Sequence, residues 1–311
     1  MTSRLREADA ADAVRPALAR YSAPVQWLMA VVQTARPRQW PKNLLVFAAP
    51  LAGASLGRNN GLGYALAAAA AFTAASAAVY FVNDVADAER DRQHPVKRFR
   101  AVASGRLPKR HALAVAVLCI AASLAVGFWI GEPRLSAVIG AYLVFSVLYS
   151  AVLKHVPVVE LAFVAAGFVL RALGGAIATR VPPSAWFLLV CSLGALMVAI
   201  AKRYTELAAL DGDAARHRPV MRWYTPAMLR LGQRIVAGAM IVAYLLWATA
   251  ERDPWMAGWH LASTAALGLA LVRFDQLTGQ AEGRPVEDLI IRDRLMNYCE
   301  LAWLAMFAIG L

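Results

Sequence analysis

The segment from Gly61 to Val82 contains no charged side chain, and it constrains the fold more than any other feature of the chain. A helix needs about 20 mostly apolar residues to cross the hydrocarbon core of a bilayer, and this segment is long enough. The composition agrees, because 60% of the 311 residues are hydrophobic, only 17% are charged and the mean hydropathy is +0.51. Soluble domains of this size are rarely so apolar. The sequence therefore predicts an all-α, polytopic membrane protein.

Nine segments qualify as membrane-spanning helices, and they form one predicted transmembrane domain over residues 36–311. Residues 1–35 have no apolar core followed by a cleavage site, so they do not resemble a secretory signal. They are predicted to form a cytoplasmic tail with an amphipathic segment from Val25 to Val32. The nine helices are predicted over residues 42–58, 61–84, 110–131, 134–153, 157–179, 184–206, 226–250, 254–274 and 291–311.

Lys and Arg are distributed unevenly between the two ends of these helices. They are numerous before the first helix and in the loops 83–110, 203–225 and 275–291, whereas the connections on the opposite side carry one Arg each. The positive-inside rule places the N-terminus and these loops in the cytosol and the C-terminus outside the plasma (inner) membrane. Membrane orientation accounts for the net charge of +12. Nucleic acid is not predicted as a partner, because the bases are not collected on one soluble face.

An acidic motif, Asn-Asp-Val-Ala-Asp-Ala-Glu-Arg-Asp, follows the second predicted helix at residues 83–91. Asp84, Asp87 and Asp91 fall at offsets 0, 3 and 7 on a helix, so their carboxylates share one face. Such a face suits a hard cation such as Mg²⁺ together with a diphosphate. Ionisable side chains at the membrane boundary are functional candidates. The alternative is a solvated, charged helix end.

Basic side chains surround this motif on the predicted cytosolic side. Lys42 and Asn43 end the sequence RPRQWPKN at the start of the first helix, where we favour phosphate binding over a purely interfacial anchor. The loop after the second helix supplies Lys97, Arg98 and Arg106 as candidates for anion binding. The basic run as a whole is more typical of a signal that fixes membrane topology.

Charged residues also interrupt the fifth and sixth predicted helices. Glu160 and Arg171 lie in otherwise apolar sequence, where a charge needs a partner or a wet cavity. A structural salt bridge is the alternative reading of these two residues. Lys202 and Glu206 are four residues apart and share a helix face, so an intrahelical ion pair is the alternative to ligand binding there. Arg203 is predicted to point elsewhere.

The acidic motif, the nine helices and the basic loop behind the motif resemble the UbiA superfamily of intramembrane prenyltransferases. The resemblance implies an all-α bundle in which two acidic motifs hold Mg²⁺ ions that grip a prenyl diphosphate. An aromatic acceptor then attacks the allylic carbon of that diphosphate. The first of the two motifs, NDxxDxxxD, is matched completely by Asn83, Asp84, Asp87 and Asp91.

The second acidic motif, expected near the sixth helix, is absent. Lys202-Arg-Tyr-Thr-Glu206 stands in its place, and Asp211 and Asp213 come further along. One acidic and one basic pole suit phosphoribosyl pyrophosphate, which has a diphosphate for Mg²⁺ at one end and a metal-free phosphate at the other. Residues 33–311 are similar to the branch of the superfamily that transfers phosphoribose onto decaprenyl phosphate, in the synthesis of a precursor for cell-wall arabinan and arabinogalactan.

This resemblance implies a Mg²⁺-dependent pentosyltransferase whose nucleophile is the phosphate of a polyprenyl phosphate. The metal ligands would be Asp84, Asp87 and Asp91, and Glu160 or Glu206 would act as an electrostatic stabiliser in catalysis. Because the phosphate is already ionised at neutral pH, no strong general base is needed. The substrate-binding residues implied are Lys42, Asn83, Lys97, Arg98, Arg106, Tyr149, Arg171, Lys202, Arg203 and Glu206.

Two other functions are compatible with a polytopic chain of this kind. A prenyltransferase that joins a prenyl diphosphate to an aromatic ring, as in quinone or haem O pathways, predicts the second acidic motif that is absent here. A transporter or channel predicts polar residues on both halves of the membrane, whereas the charges here crowd the cytosolic side. The predicted partners are the two substrates and membrane lipids. The many Ala and Gly residues permit helix packing within one chain or in a homo-oligomer.

Overall fold

The structure, a computed structural model, describes residues 21–209, 219–281, 284 and 286–311, with the side chains of residues 155 and 287 excepted. This part of the chain is helical and contains no β-strand. Short 3₁₀ helices cover Pro37–Phe47, Lys97–Phe99, Leu153–His155 and Pro219–Trp223. The α-helices are α1 (Ala23–Thr34), α2 (Ala48–Ala52), α3 (Gly61–Ala86), α4 (Ala88–Arg92), α5 (Lys109–Trp129), α6 (Pro133–Ala151), α7 (Val159–Ala178), α8 (Ala185–Ala208), α9 (Pro226–Ala250), α10 (Pro254–Gly279), α11 (Val286–Arg292) and α12 (Arg294–Ile309).

Seven helices of the described chain, α3 and α5 to α10, are long and apolar enough to cross a membrane. They correspond to seven of the nine predicted spans and confirm an all-α, multi-pass membrane protein. The first predicted span, residues 42–58, differs, because it begins inside the 3₁₀ helix Pro37–Phe47 and is α-helical only over Ala48–Ala52. Pro41, which lacks an N–H, lies inside this 3₁₀ helix directly before the predicted start. The last span is represented by α12, which is only 16 residues long. The count of nine therefore stays a prediction.

Large apolar side chains on the outside of these helices match a lipid environment. On α5, Leu118, Phe128 and Trp129 are 68%, 70% and 79% exposed. A water-facing helix would carry polar side chains on such a face, whereas a helix in a bilayer has no reason to hide apolar ones.

Residues 21–44 and Gly63–Val147 form the first of two compact units. Its interior is lined by small residues of α3 and by Phe72, whose ring centroid lies 5.6 Å from that of Tyr142 in an edge-to-face arrangement. The Tyr142 hydroxyl also shares a 3.0 Å hydrogen bond with Ser76. The backbones of α5 and α6 lie close together at Gly127. A Cβ atom at this position would stand 2.2 Å from Ser136 Oγ and 2.7 Å from the Ser136 backbone nitrogen.

Leu45–Leu62 and Leu148–Leu311 form the second unit. Within it α8 packs against α7 and α9, and α10 packs against α9 and α12. The segment around α2 lies directly on α7, because a Cβ atom at Gly175 would stand 1.7 Å from the Val46 carbonyl oxygen. Only glycine permits this approach of two backbones. The segment around Val46 is thereby packed against α7, from which it is distant in sequence.

Candidate active site

Two of the three motif carboxylates lie together at the end of α3. Asp84 and Asp91 are both buried, at 3% and 4% exposure. One atom, Arg100 Nη1, lies 2.8 Å from Asp91 Oδ2 and 3.5 Å from Asp84 Oδ1. Arg36 Nη2 donates to the same Asp84 Oδ1 at 2.6 Å. We call these four residues the acidic cluster; its two carboxylates are neutralised by arginines that reach solvent.

The helical register predicted by the 0, 3, 7 spacing survives a break at Asp87, where α3 has ended and α4 has not begun. The Asp87 N–H still donates to the Asn83 carbonyl at 2.9 Å, and the Asp91 N–H donates to the Asp87 carbonyl at 2.8 Å. Asp91 is thereby brought to the side of Asp84. The Asp87 carboxylate bonds to Arg90 at 2.6 Å and its side chain is 34% exposed.

The donor set of the acidic cluster fits a magnesium ion whose remaining ligands would come from substrate and water. Within the described ranges, no group of three or more His, Cys, Asp or Glu side chains is arranged to hold a metal. Asp84 and Asp91 nevertheless present two buried carboxylates around a single cationic atom. Mg²⁺ commonly takes one or two protein carboxylates and fills its remaining positions with phosphate oxygens and water. These two residues would hold the ion.

Arg36 and Arg100 were not among the basic residues selected from the sequence. Their guanidinium groups lie on the carboxylates, and Arg36 also stacks over the Tyr80 ring at 4.7 Å. The selected Lys97 and Arg98 form the adjoining 3₁₀ helix with Phe99. No feature of the basic run in this loop distinguishes Arg100 from its neighbours, because only the turn after the 3₁₀ helix directs it towards Asp91.

The other selected residues of the first unit contact side chains and backbone carbonyls of the same unit. Arg106 donates to the Gln33 side chain at 2.8 Å and to the Phe99 carbonyl at 2.7 Å, so it ties the loop to α1. Lys42 bonds to the Gln39 side chain. The Arg98 guanidinium stands over the ring of Phe99 at 4.7 Å.

A buried ion pair joins two helices of the second unit. Glu160, in the first turn of α7, is completely buried, and Arg203, near the end of α8, is 7% exposed. Arg203 Nε lies 3.0 Å from Glu160 Oε1, although the alignment is not that of a hydrogen bond. We call Glu160 and Arg203 the buried ion pair. An apolar interior retains such charges only when each has a partner.

Arg203 has further contacts that the sequence did not predict. It bonds to Glu206, which corrects the expectation that Arg203 points away from that residue, and its Nη2 lies 3.5 Å from the Tyr149 hydroxyl. Residues three apart on an α-helix differ by about 300°, so they lie within about 60° of each other around the axis. Arg203 and Glu206 are therefore neighbours, as Lys202 and Glu206 are. Asp211 and Asp213 lie outside the described residues.

Two further cations of the second unit share one aromatic ring. Lys202 Nζ lies 5.8 Å from the centroid of Phe168, and Arg171 Cζ lies 5.9 Å from it. Arg171 is 7% exposed and donates to the Gly167 carbonyl of its own helix at 2.6 Å. The ring faces attract both cations electrostatically. Phe168 therefore brings one cation of α7 and one cation of α8 to the same ring.

The chain is similar in sequence and fold to characterised groups of proteins. It is 39% identical to the decaprenyl-phosphate phosphoribosyltransferase of Mycobacterium tuberculosis (strain CDC 1551 / Oshkosh), over 91% of this chain and 94% of that protein. It is 35% identical to the protein of the same name from Mycolicibacterium smegmatis, over 90% and 92% of the two chains. The structure of a UbiA homolog from Archaeoglobus fulgidus bound to GPP and Mg²⁺ has the same fold, with a TM-score of 0.63 at 16% identity over 90% of this chain and 98% of that one.

A family model covers most of the membrane domain as well. It matches residues 44–286, which include both the acidic cluster residues Asp84 and Asp91 and the buried ion pair. Together with the relatives above 30% identity, this match decides the classification: the chain belongs to the UbiA prenyltransferase family.

Proposed function

We propose that the protein transfers 5-phosphoribose from phosphoribosyl pyrophosphate to a polyprenyl phosphate, such as decaprenyl phosphate, and releases pyrophosphate. Similarity over nearly the whole chain to enzymes named decaprenyl-phosphate phosphoribosyltransferase supports this activity. The observation that carries the choice of donor is the presence of two cations, Lys202 and Arg203, where a second acidic motif is expected. A fixed cation there suits a phosphate group that is not bound to metal.

The acidic cluster is the proposed site for the pyrophosphate. Asp84 and Asp91 would hold Mg²⁺, with Asp87 as the third carboxylate and Asn83 orienting the ligand. Held there, the ion would neutralise the negative charge that develops on the leaving pyrophosphate. Mg²⁺ in a related structure of the same fold supports this assignment. Among the basic residues of this unit, Lys42, Lys97, Arg98 and Arg106 remain proposed phosphate ligands, and we add Arg36 and Arg100.

The proposed reaction exchanges one bond at ribose C1 for another. The bond from C1 to the pyrophosphate oxygen breaks, the electron pair leaves with pyrophosphate, and a phosphate oxygen of the lipid forms the new bond with inversion. Since this phosphate is ionised at neutral pH, no side chain has to remove a proton. Glu160, whose negative charge is maintained by Arg203, would stabilise the oxocarbenium-like C1 electrostatically. Tyr149, Arg171, Lys202, Arg203 and Glu206 would bind the phosphate and sugar groups of the substrates.

The proposed location is the plasma membrane, with the N-terminus in the cytosol and the C-terminus outside. Phosphoribosyl pyrophosphate is a soluble anion, and the loops rich in Lys and Arg lie on the predicted cytosolic side. The lipid acceptor would enter from the bilayer. Association into a homo-oligomer also stays a prediction.

The test is a reconstitution of the purified protein in liposomes with Mg²⁺, phosphoribosyl pyrophosphate and decaprenyl phosphate. Pyrophosphate release should require all three components, and the lipid product should carry one ribose 5-phosphate. A parallel reaction should contain geranyl diphosphate and an aromatic acceptor such as 4-hydroxybenzoate. Release of pyrophosphate only in the parallel reaction would overturn the proposal in favour of aromatic prenylation.

A further inference from the structure

The backbone of Val158, directly before α7, has a conformation that valine rarely adopts. Its φ and ψ angles are 65° and −49°, and the Val159 N–H donates to the Pro157 carbonyl at 2.7 Å. This is the γ-turn with positive φ, the rarer and strained form of that turn. For a β-branched residue a positive φ is a genuine outlier. Strain of this kind persists only where the surroundings enforce it, and it is concentrated at functional sites.

The hydroxyl of Tyr224 contacts the backbone of this turn from outside α7. The Val158 N–H donates to it at 2.9 Å. Packing of the Val158 side chain contributes little, because that side chain is 61% exposed. Tyr224 itself is only 4% exposed, and its ring belongs to a cluster with Leu161 and Met221, so the hydroxyl is held in a fixed position.

The same hydroxyl acts on Glu160, the acidic member of the buried ion pair. Glu160 is two residues after Val158, and its carboxylate lies close enough to the Tyr224 hydroxyl to influence it electrostatically. Burial raises the pKa of Tyr224 above its ordinary value, and the nearby negative charge of Glu160 acts in the same direction. The hydroxyl therefore stays protonated at neutral pH. It accepts a hydrogen bond from the backbone N–H of Val158.

We infer that Tyr224 is a positioning residue for Glu160: its hydroxyl holds Val158 in the strained γ-turn and thereby fixes the first turn of α7 and the Glu160 carboxylate. The kinetic consequence rests on the proposed function, in which Glu160 acts on the transferred ribose. The geometric consequence, a backbone held by one side chain, is independent of the substrate.

The test is a double-mutant cycle between Tyr224→Phe and Val158→Gly. In the otherwise unchanged protein, Tyr224→Phe should lower kcat about tenfold, a loss typical of one hydrogen bond, while KM for both substrates changes less than about twofold. Glycine adopts a positive φ without the penalty that valine has. In the Val158→Gly background, the same tyrosine substitution should therefore lower kcat by less than about threefold.

Tyr204→Phe is the matched control, because Tyr204 packs against the same hydrophobic cluster. Its kcat should stay within about twofold of the unchanged protein. An unchanged kcat in Tyr224→Phe would overturn the inference, and so would an equal loss in both backgrounds. If Tyr224→Phe alone does not fold, the Val158→Gly protein and the double variant still decide, since a further tenfold loss in the double variant contradicts the role of Val158.

Amide hydrogen exchange separates this inference from the proposed function. Tyr224→Phe should increase exchange in the peptide that covers residues 156–162, and Tyr204→Phe should not. If exchange is faster in Tyr224→Phe but the unsubstituted protein releases no pyrophosphate, the positioning role is supported and the proposed reaction is overturned. If exchange is unchanged in Tyr224→Phe and the unsubstituted protein has the expected activity, the positioning role alone is overturned.

Discussion

The acidic cluster and the buried ion pair neutralise buried carboxylates in different ways. Asp84 and Asp91 are covered, but the side chains of Arg36 and Arg100 are 33% and 31% exposed. In the buried ion pair both partners are enclosed, with the Arg203 side chain 8% exposed. A cation in contact with solvent is screened and easily exchanged, whereas removing a buried partner leaves a charge without compensation. The first cluster is suited to exchange its ligands, and the second is suited to keep its charges in place.

Removing Arg203 should have the largest effect on stability. Arg203→Ala takes away the cation that neutralises Glu160, so the free energy of unfolding should fall by about 3–5 kcal/mol. The measurement is denaturant unfolding of the detergent-solubilised protein, followed by circular dichroism. Arg234→Ala is the control, because its side chain is 62% exposed and pairs with Asp275. The control should lose less than about 1 kcal/mol, and equal losses would contradict the contrast.

Removing a carboxylate from the acidic cluster should reduce activity far more than it reduces stability. Asp84→Asn keeps the shape of the side chain but weakens the binding of a divalent cation, so turnover should fall about 100- to 1000-fold. Pyrophosphate release at saturating substrate is the measurement. Glu89→Gln is the control in the same segment, because Glu89 is exposed and pairs with Arg92 and Lys109. Unchanged turnover in Asp84→Asn would remove the metal assignment.

The cation beside the buried ion pair should affect one substrate more than the other. Lys202→Ala should raise KM for phosphoribosyl pyrophosphate about tenfold, as expected for the loss of one charge-assisted hydrogen bond, and leave KM for the lipid within about twofold. Initial rates with each substrate varied in turn provide both constants. Lys154→Ala, in the same unit, should change neither. A larger effect on the lipid would assign Lys202 to the acceptor phosphate.

The smallest effect on stability is expected at the exposed side of the acidic cluster. Arg36→Ala should lower the free energy of unfolding by only about 0–1 kcal/mol, because the Arg36 side chain is 33% exposed and Arg100 stays beside Asp84 as a second cation. Unfolding measured at low and high salt should show the difference shrinking as salt is added. Arg90→Ala, whose side chain is 76% exposed, is the comparison variant. A loss as large as that of Arg203→Ala would mean that exposure does not separate the two clusters.

The membrane helices were largely predictable because one physical requirement dominates them. Apolar length alone located α3 and α5 to α10, since a segment that lies in hydrocarbon must be helical and apolar throughout. The first predicted span was not recovered as one α-helix. Its hydropathy is adequate, but its first residues continue a 3₁₀ helix that contains Pro37 and Pro41, and a measure of apolarity does not register the backbone restriction that these prolines impose.

The site was predictable only where its geometry is local. The spacing of Asp84 and Asp91 identified neighbours on one helical surface, because both residues belong to the same continuous set of backbone hydrogen bonds. The partners of these acids are Arg36 and Arg100, and turns in the backbone bring these two side chains to the carboxylates. Likewise, Arg203 is directed by Glu160 on another helix, a contact that no periodicity within α8 encodes.

The close approach of Gly175 and Val46 has a consequence for the order in which the chain folds. A protein is synthesised from its N-terminus, and compact units usually form as soon as their residues are available. All residues of the first unit exist once Val147 has been made, whereas Leu45–Leu62 belongs to the second unit and has to wait for α7. During synthesis, Leu45–Leu62 is therefore an early segment without its final neighbour, and the emergence of α7 is the event that allows it to settle.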